Sequence, residues 1–148
     1  YEGRVWALCP LERTTVQAQA LAESLVAAVG ARPIVLDAER HDRAVAAISH
    51  LPYALAVALV NVVSAQAQSD PTCLQLAASG YRDTSRLAGS DLEMMRDILL
   101  TNREPVLELL RVAQGELGAL EAALRSDDLG QLMRLLSSAH DHRREMLR

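Results

Sequence analysis

A mainly α-helical chain led by a single βαβ unit is the fold class this sequence predicts, and three observations predict it. Two short runs, "VWAL" and "RPIVLD", flank one apolar-periodic segment within the first 37 residues. From residue 38 to the end the apolar spacing is that of helices, with no further strand-like run. The breaks between segments carry helix-capping residues, Ser, Thr or Asp, often followed three positions on by Glu or Gln. The chain has 148 residues, 50% of them hydrophobic, enough for a sizeable core and against disorder.

Taken in order, "VWAL" before Pro10 reads as a short buried strand. Thr14 and Gln17 form a capping box for a helix over about residues 14 to 29 that ends at Gly30. "RPIVLD", bounded by Pro33 and Asp37, is the second strand, so the first 37 residues have the size of a βαβ unit with a parallel pair. Such a pair alone has two open edges, and the chain opens near a strand without Met. The expectation is the back part of something longer. Asp37 then caps a long helix running to about Gln68, disturbed near Ser49 by Pro52, which has no N–H to give.

Asp70 and Pro71 start a short helix expected to stop at Gly80, and "GYRDTSRLAGS" is the least regular stretch. Ser90 with Glu93 and Thr101 with Glu104 are two more capping boxes, the second opening a helix that carries Leu107, Leu110, Leu117, Leu120 and Leu124. Pro105 falls in its first turn, where proline is tolerated. Asp127 or Asp128 caps a last helix, "LGQLMRLLSSAHDHRREML".

Composition narrows the function. The net charge is -4 and all 15 basic residues are Arg, which leaves no basic field for nucleic acid or anionic lipid and casts arginine as a local clamp for carboxylate or phosphate. "ALAVALVNVV" is shorter than the roughly 18 apolar residues of a membrane span. Cys9 and Cys73 are only two, without metal spacing, and read as reduced thiols of a cytoplasmic chain. No glycine-rich phosphate loop occurs. Asp91 and Glu93 beside Ser90 are explained by a helix start, and His140 and His142, two apart on a helix, do not share a face, so no metal is assigned.

Three stretches carry more than helix grammar. His41, Asp42 and Arg43 sit in the first turn of the long helix, where a solvated helix start explains them equally well. Ser49 and His50 lie just before Pro52, where backbone carbonyls are freed and side chains can either satisfy them or face a ligand. "GYRDTSR" gathers Arg82, Asp83 and Arg86, either a surface loop with a local Asp–Arg pair or an arginine preorganised for a carboxylate.

In combination, "HDRAVAAISHLPYALAVALV" and "GYRDTSRLAGSDLEMMRDILLTNREPVLELL" closely resemble the prephenate and arogenate dehydrogenases of tyrosine biosynthesis. The resemblance covers nearly the whole chain. It implies that residues 1–37 are the end of a Rossmann-type dinucleotide-binding domain. Residues 38–148 are then an all-helical dimerisation and substrate-binding domain of the 6-phosphogluconate dehydrogenase C-terminal-like kind. It further implies an oxidative decarboxylation in which NAD or NADP takes a hydride while the ring carboxylate leaves as CO2. Arg86 would bind a substrate carboxylate, Asp83 would position its loop, and Ser49 and His50 would line the cleft. Tyr53 stands where many members have a second histidine, and Met95 replaces a common tryptophan; both bear on prephenate against arogenate.

The family's catalytic histidine, in a "His-Pro-Met" segment, and its glycine-rich loop are not in this sequence, so no catalytic residue is assigned and the chain alone is expected to be inactive. Its partners by this reading are a second copy, as a homodimer, and a small-molecule substrate, with no nucleic acid and no membrane. Two other readings compete: a stand-alone helical interaction module without catalysis, and a different dehydrogenase with a similar helical domain.

Overall fold

The computed structural model describes residues 1 to 146 and divides into two compact units, Tyr1–Val106 and a second beginning at Leu107. In the first, β1 (Val5–Leu8), α1 (Val16–Ala28) and β2 (Arg32–Val35) form the expected βαβ unit. The strands pair in parallel with Val5 opposite Arg32 and Leu8 opposite Val35. Arg32 N–H donates to Arg4 O (2.7 Å), so the alternation of the ladder turns Pro33, which has no N–H, toward the open edge. With two strands only, Val5, Trp6, Ile34 and Val35 stay substantially exposed.

The caps follow the chemistry expected but not always the residue. Thr15 caps α1, its Oγ1 accepting from Ala18 N–H (3.1 Å), because Thr14 Oγ1 already accepts from Leu11 N–H (2.9 Å) in the preceding turn. At the other end Gly30, with φ +76°, donates to Ala27 O, and Ala31 N–H donates to Val26 O. This is a Schellman closure, with Val26 and Ala31 buried beside each other as its apolar contact.

Asp37 caps α2 (Ala38–Val45) through Arg40 N–H (2.8 Å), as expected. The disturbance before Pro52 takes the form of a π-helical turn, Ala46–His50, in which Leu51 N–H reaches back to Ala46 O. It leads directly into α3 (Leu51–Ser69). A wider turn is one way to accommodate a proline that gives no N–H and crowds the carbonyl four residues back. Because the helix is continuous over Ala38–Ser69, it is long and apolar enough to cross a bilayer by length and composition, which corrects the expectation drawn from the run after Pro52 alone. Core and interface helices of water-soluble proteins meet the same criterion. One side of α3 packs against α5 (Ser79–Ser85) and the 3₁₀ turn Arg86–Gly89, with Ala56 buried.

The stretch 71–89 is more helical than its glycines implied. Asp70 Oδ1 accepts from Thr72 N–H (2.9 Å) and starts α4 (Thr72–Gln75), which stops after one turn. The chain then re-enters a helix at Ser79, so α5 runs through Gly80. Gly80 sits in a first turn with no positive φ, where glycine ends nothing. "GYRDTSR" is therefore helix and 3₁₀ turn, not a loop.

Both later capping boxes are also corrected. Asp91 caps α6 (Leu92–Thr101) through Met94 N–H (2.8 Å), while Ser90 Oγ donates to Leu87 O (2.7 Å). Thr101 Oγ1 donates back to Asp97 O (2.8 Å), so it closes α6 and does not open α7 (Arg103–Arg125). Asn102 is left between the two helices as the C-cap of α6.

The second unit holds most of α7 and α8 (Leu129–Glu145). Asp127 turns the chain with φ +50°, a left-handed conformation that Asp tolerates, and Asp128 caps α8 through Gln131 N–H (2.8 Å). Ala123 is buried, whereas Leu129, Met133 and Leu136 are 69%, 53% and 50% exposed, a stripe at helical spacing along α8. Leu147, the end of the last helix as read from the sequence, and Arg148 lie outside the described residues.

Candidate functional site

Of the five residues singled out as a substrate site, three lie on one continuous stretch of helix. Ser49 and His50 end the π turn and Tyr53 follows in the first turn of α3. His50 and Tyr53, three apart and so on neighbouring positions of one face, are 7% and 8% exposed, while Ser49 is exposed. Asp83 lies exposed on α5, and Arg86 lies exposed where the 3₁₀ turn begins. The packing of α5 and that turn on α3 thus brings the two motif stretches into one unit. The local Asp–Arg pair does not form: neither Asp83 nor Arg86 enters an ion pair among the described residues. Placed on a helix and its 3₁₀ continuation, their side chains are directed by helical geometry and not by each other.

A residue outside that set holds the centre together. Asn102 is 7% exposed, and its Nδ2 donates to Asp42 O (2.8 Å) and lies 3.1 Å from His50 Nδ1. Both partners are remote in sequence, so this one amide ties the π turn and α2 to the junction of α6 and α7. The signal for Asn102 was present in "TNRE", but the capping-box pattern drew attention to Thr101 and Glu104. His41 Nδ1 and Asp42 Oδ1 pair at 3.0 Å on the same turn of α2. Burial pushes the His50 imidazole below its ordinary pKa; the Asp42 carboxylate works against that and His41 works with it.

No buried side-chain nitrogen or oxygen among the described residues lacks a hydrogen-bond partner. His50 Nε2 and Tyr53 Oη have no partner among the described residues, so each reaches the surface at its outer corner. The candidate residues therefore present a largely buried imidazole edge, a phenol hydroxyl and an exposed serine on one helix, and, on the turn packed against that helix, a guanidinium in no ion pair among the described residues. Those are donors suited to the oxygens of an anionic ligand.

A groove of about 410 Å³ adjoins this centre, lined by Asp42 and Asn102 themselves with Glu39, Arg103 and Glu104 among others. None of the five expected residues lines it, and its carboxylates suit an anion poorly. Among the described residues no three His, Cys, Asp or Glu side chains converge as metal ligands, and Cys9 and Cys73 are both free thiols.

Residues 37 to 138 match the family described as the prephenate dehydrogenase dimerization domain. The chain belongs to this family. Prephenate dehydrogenase of Bacillus subtilis is 29% identical over 143 residues, which are 97% of this chain and 38% of that protein. A probable prephenate dehydrogenase of Streptomyces niveus is 36% identical over 126 residues, covering 84% of this chain and 34% of that one. Among solved structures, prephenate dehydrogenase from A. aeolicus in complex with hydroxyphenyl propionate and NAD+ superposes with a TM-score of 0.89 at 28% identity, over 99% of this chain and 51% of that one. Synechocystis arogenate dehydrogenase superposes with a TM-score of 0.87 at 27% identity, over 99% and 53%. The chain spans between a third and about half the length of these dehydrogenase relatives.

Proposed function

We propose that this chain works as part of a prephenate or arogenate dehydrogenase of tyrosine biosynthesis, an NAD- or NADP-dependent oxidative decarboxylation, and supplies its dimer interface and part of its substrate site. The observation that carries the reading is that the helix led by Ser49 to Tyr53 packs against the 3₁₀ turn that begins at Arg86, within a chain of the dimerization-domain family. In this reading residues 1–37 are the end of a dinucleotide-binding domain and residues 38–148 the helical domain. The open edges of the two-stranded sheet and the exposed faces of Val5, Trp6, Ile34 and Val35 support a larger sheet around them.

The residues of this chain do not fit the cofactor by themselves. The β1–α1 connection, residues 9 to 15, contains no glycine, so it lacks the close backbone approach that a dinucleotide pyrophosphate takes at a helix N-terminus. In this reading the nicotinamide cofactor that accepts the hydride is held mainly by residues other than these 148. What this chain contributes is binding and orientation. The Arg86 guanidinium offers a planar fork for a substrate carboxylate, with Asp83 one helical turn before it. Ser49, His50 and Tyr53 add donors or acceptors to the ring hydroxyl or the second carboxylate. The active form is a homodimer in the cytoplasm, and the exposed apolar stripe of α8 supports the dimer.

The test is a steady-state assay of the enzyme expressed from its full reading frame, with prephenate and arogenate each offered with NAD+ and NADP+. Turnover of either substrate supports the reading. A full-length protein that turns over neither, with cofactor bound, sinks it in favour of a non-catalytic helical module or another dehydrogenase.

A further inference from the structure

We infer that Asn102 is a positioning residue that locks His50 in its neutral Nε2–H tautomer, so that the imidazole meets a ligand as a hydrogen-bond donor and not as a base. The argument starts from the one contact in which roles are not interchangeable. The backbone carbonyl of Asp42 can only accept, and the Asn102 side-chain atom 2.8 Å from it must therefore be the NH2 group. That assigns the amide without reference to histidine. The same NH2 lies 3.1 Å from His50 Nδ1, and an NH2 group has nothing to accept with, so Nδ1 must be the unprotonated nitrogen. The ring proton is then on Nε2, the corner that reaches the surface.

A second consequence concerns charge. A doubly protonated imidazole would turn a Nδ1–H against the Asn102 NH2, two donors face to face between residues that are each 7% exposed. The amide thus opposes protonation at one corner while burial opposes it throughout. The charged groups that act on the ring, His41 and Asp42, do not replace this control: their side chains are engaged with each other at 3.0 Å. What remains for a ligand is a neutral N–H, matched to a carboxylate, carbonyl or hydroxyl oxygen. Proton abstraction at this position is excluded while Nδ1 faces Asn102, since Nε2 already carries its hydrogen.

The ligand half of this inference rests on the substrate reading above; the tautomer half does not. The experiment is a long-range ¹H–¹⁵N correlation spectrum of the intact chain labelled with ¹⁵N-histidine at neutral pH, the His50 signals assigned by their loss in His50→Gln. The expected pattern is a pyridine-type Nδ1 and a pyrrole-type, protonated Nε2, distinct from the averaged, titrating pattern of an exposed histidine. In Asn102→Asp the carboxylate accepts where the amide donated, and the proton is expected to move to Nδ1. Wild-type His50 with its proton on Nδ1, or in fast tautomeric exchange, overturns the inference whether or not any variant folds. A folded Asn102→Asp that keeps the wild-type pattern overturns it as well. Titration of the full-length enzyme with whichever of prephenate and arogenate it turns over should then shift the Nε2–H proton. A fixed tautomer with no such shift, while that substrate is turned over, overturns the donor role alone; the absence of turnover of both counts against the substrate reading instead.

Discussion

Asn102 Nδ2 stands 3.1 Å from His50 Nδ1 across 52 residues of chain, and both side chains are buried. Replacing Asn102 by Ala strips the donor from two acceptors at once, His50 Nδ1 and Asp42 O. Leaving buried polar groups unsatisfied costs roughly 1–3 kcal/mol. Asn102→Ala is therefore expected to lower the unfolding free energy of the chain by about that amount, read from the midpoint of urea denaturation with the m-value unchanged. A loss below about 0.5 kcal/mol, the usual range of an inconsequential surface change, would show that water replaces the amide freely.

The lowered pKa of His50 gives stability a pH dependence of definite sign. The folded imidazole holds its proton less tightly than the unfolded one, whose ordinary value is 6.5. Below that value the unfolded chain takes up a proton that the folded chain refuses until the pH falls to its own lower pKa. This contribution is thus complete above pH 6.5 and is lost as the pH falls through the window beneath it. Thermal melts of wild type against His50→Gln across pH 5 to 8 should converge toward the acid end. Parallel curves would mean that His50 titrates normally.

Arg86 carries the firmest functional expectation. Charge-assisted hydrogen bonds are worth about 1.5–3 kcal/mol, and each 1.4 kcal/mol is a factor of ten. In the full-length enzyme Arg86→Ala is expected to lower kcat/KM for the preferred substrate roughly ten- to a hundredfold. Arg86→Lys should recover part of that, since an ammonium keeps the charge and loses the fork. The fold itself should be indifferent, because Arg86 is exposed and in no ion pair among the described residues. Unchanged kinetics with both substrates would remove Arg86 from the site.

How far the sequence revealed this molecule depends on the range of the interaction concerned. The βαβ unit, the Asp37 cap and the disturbance before Pro52 are local consequences of residue chemistry, and all were legible. Cap identity failed wherever two capping side chains compete, as at Thr14 and Thr15 or Ser90 and Asp91, because the pattern cannot say which is already engaged. Gly80 misled because glycine ends a helix through a positive φ, which it does not have. Asn102 was missed as a site residue because its role exists only when α2, the π turn and the end of α6 meet. Of the two readings left open for "GYRDTSR", the local Asp–Arg pair is absent among the described residues, because the stretch is helix and 3₁₀ turn and not the loop that reading assumed.

The last expectation concerns the second copy. Leu129, Met133 and Leu136 recur at four and three residues along α8 and so lie on one face, each at least half exposed. A face of that kind on a dimerization-domain chain is explained if another chain covers it, and burial there is worth about 25 cal/mol per Å². A single Leu136→Asp substitution places two charges, one from each subunit, on a two-fold interface. Because the leucine is exposed within the protomer, the change should leave helix content intact by circular dichroism. It should shift the mass measured by sedimentation equilibrium from twice that of the chain toward one, with the shift largest at low protein concentration. A Leu136→Asp variant that remains fully dimeric would place the interface on another surface, and a wild-type chain that sediments as a monomer at tens of micromolar would remove the dimer of this chain altogether.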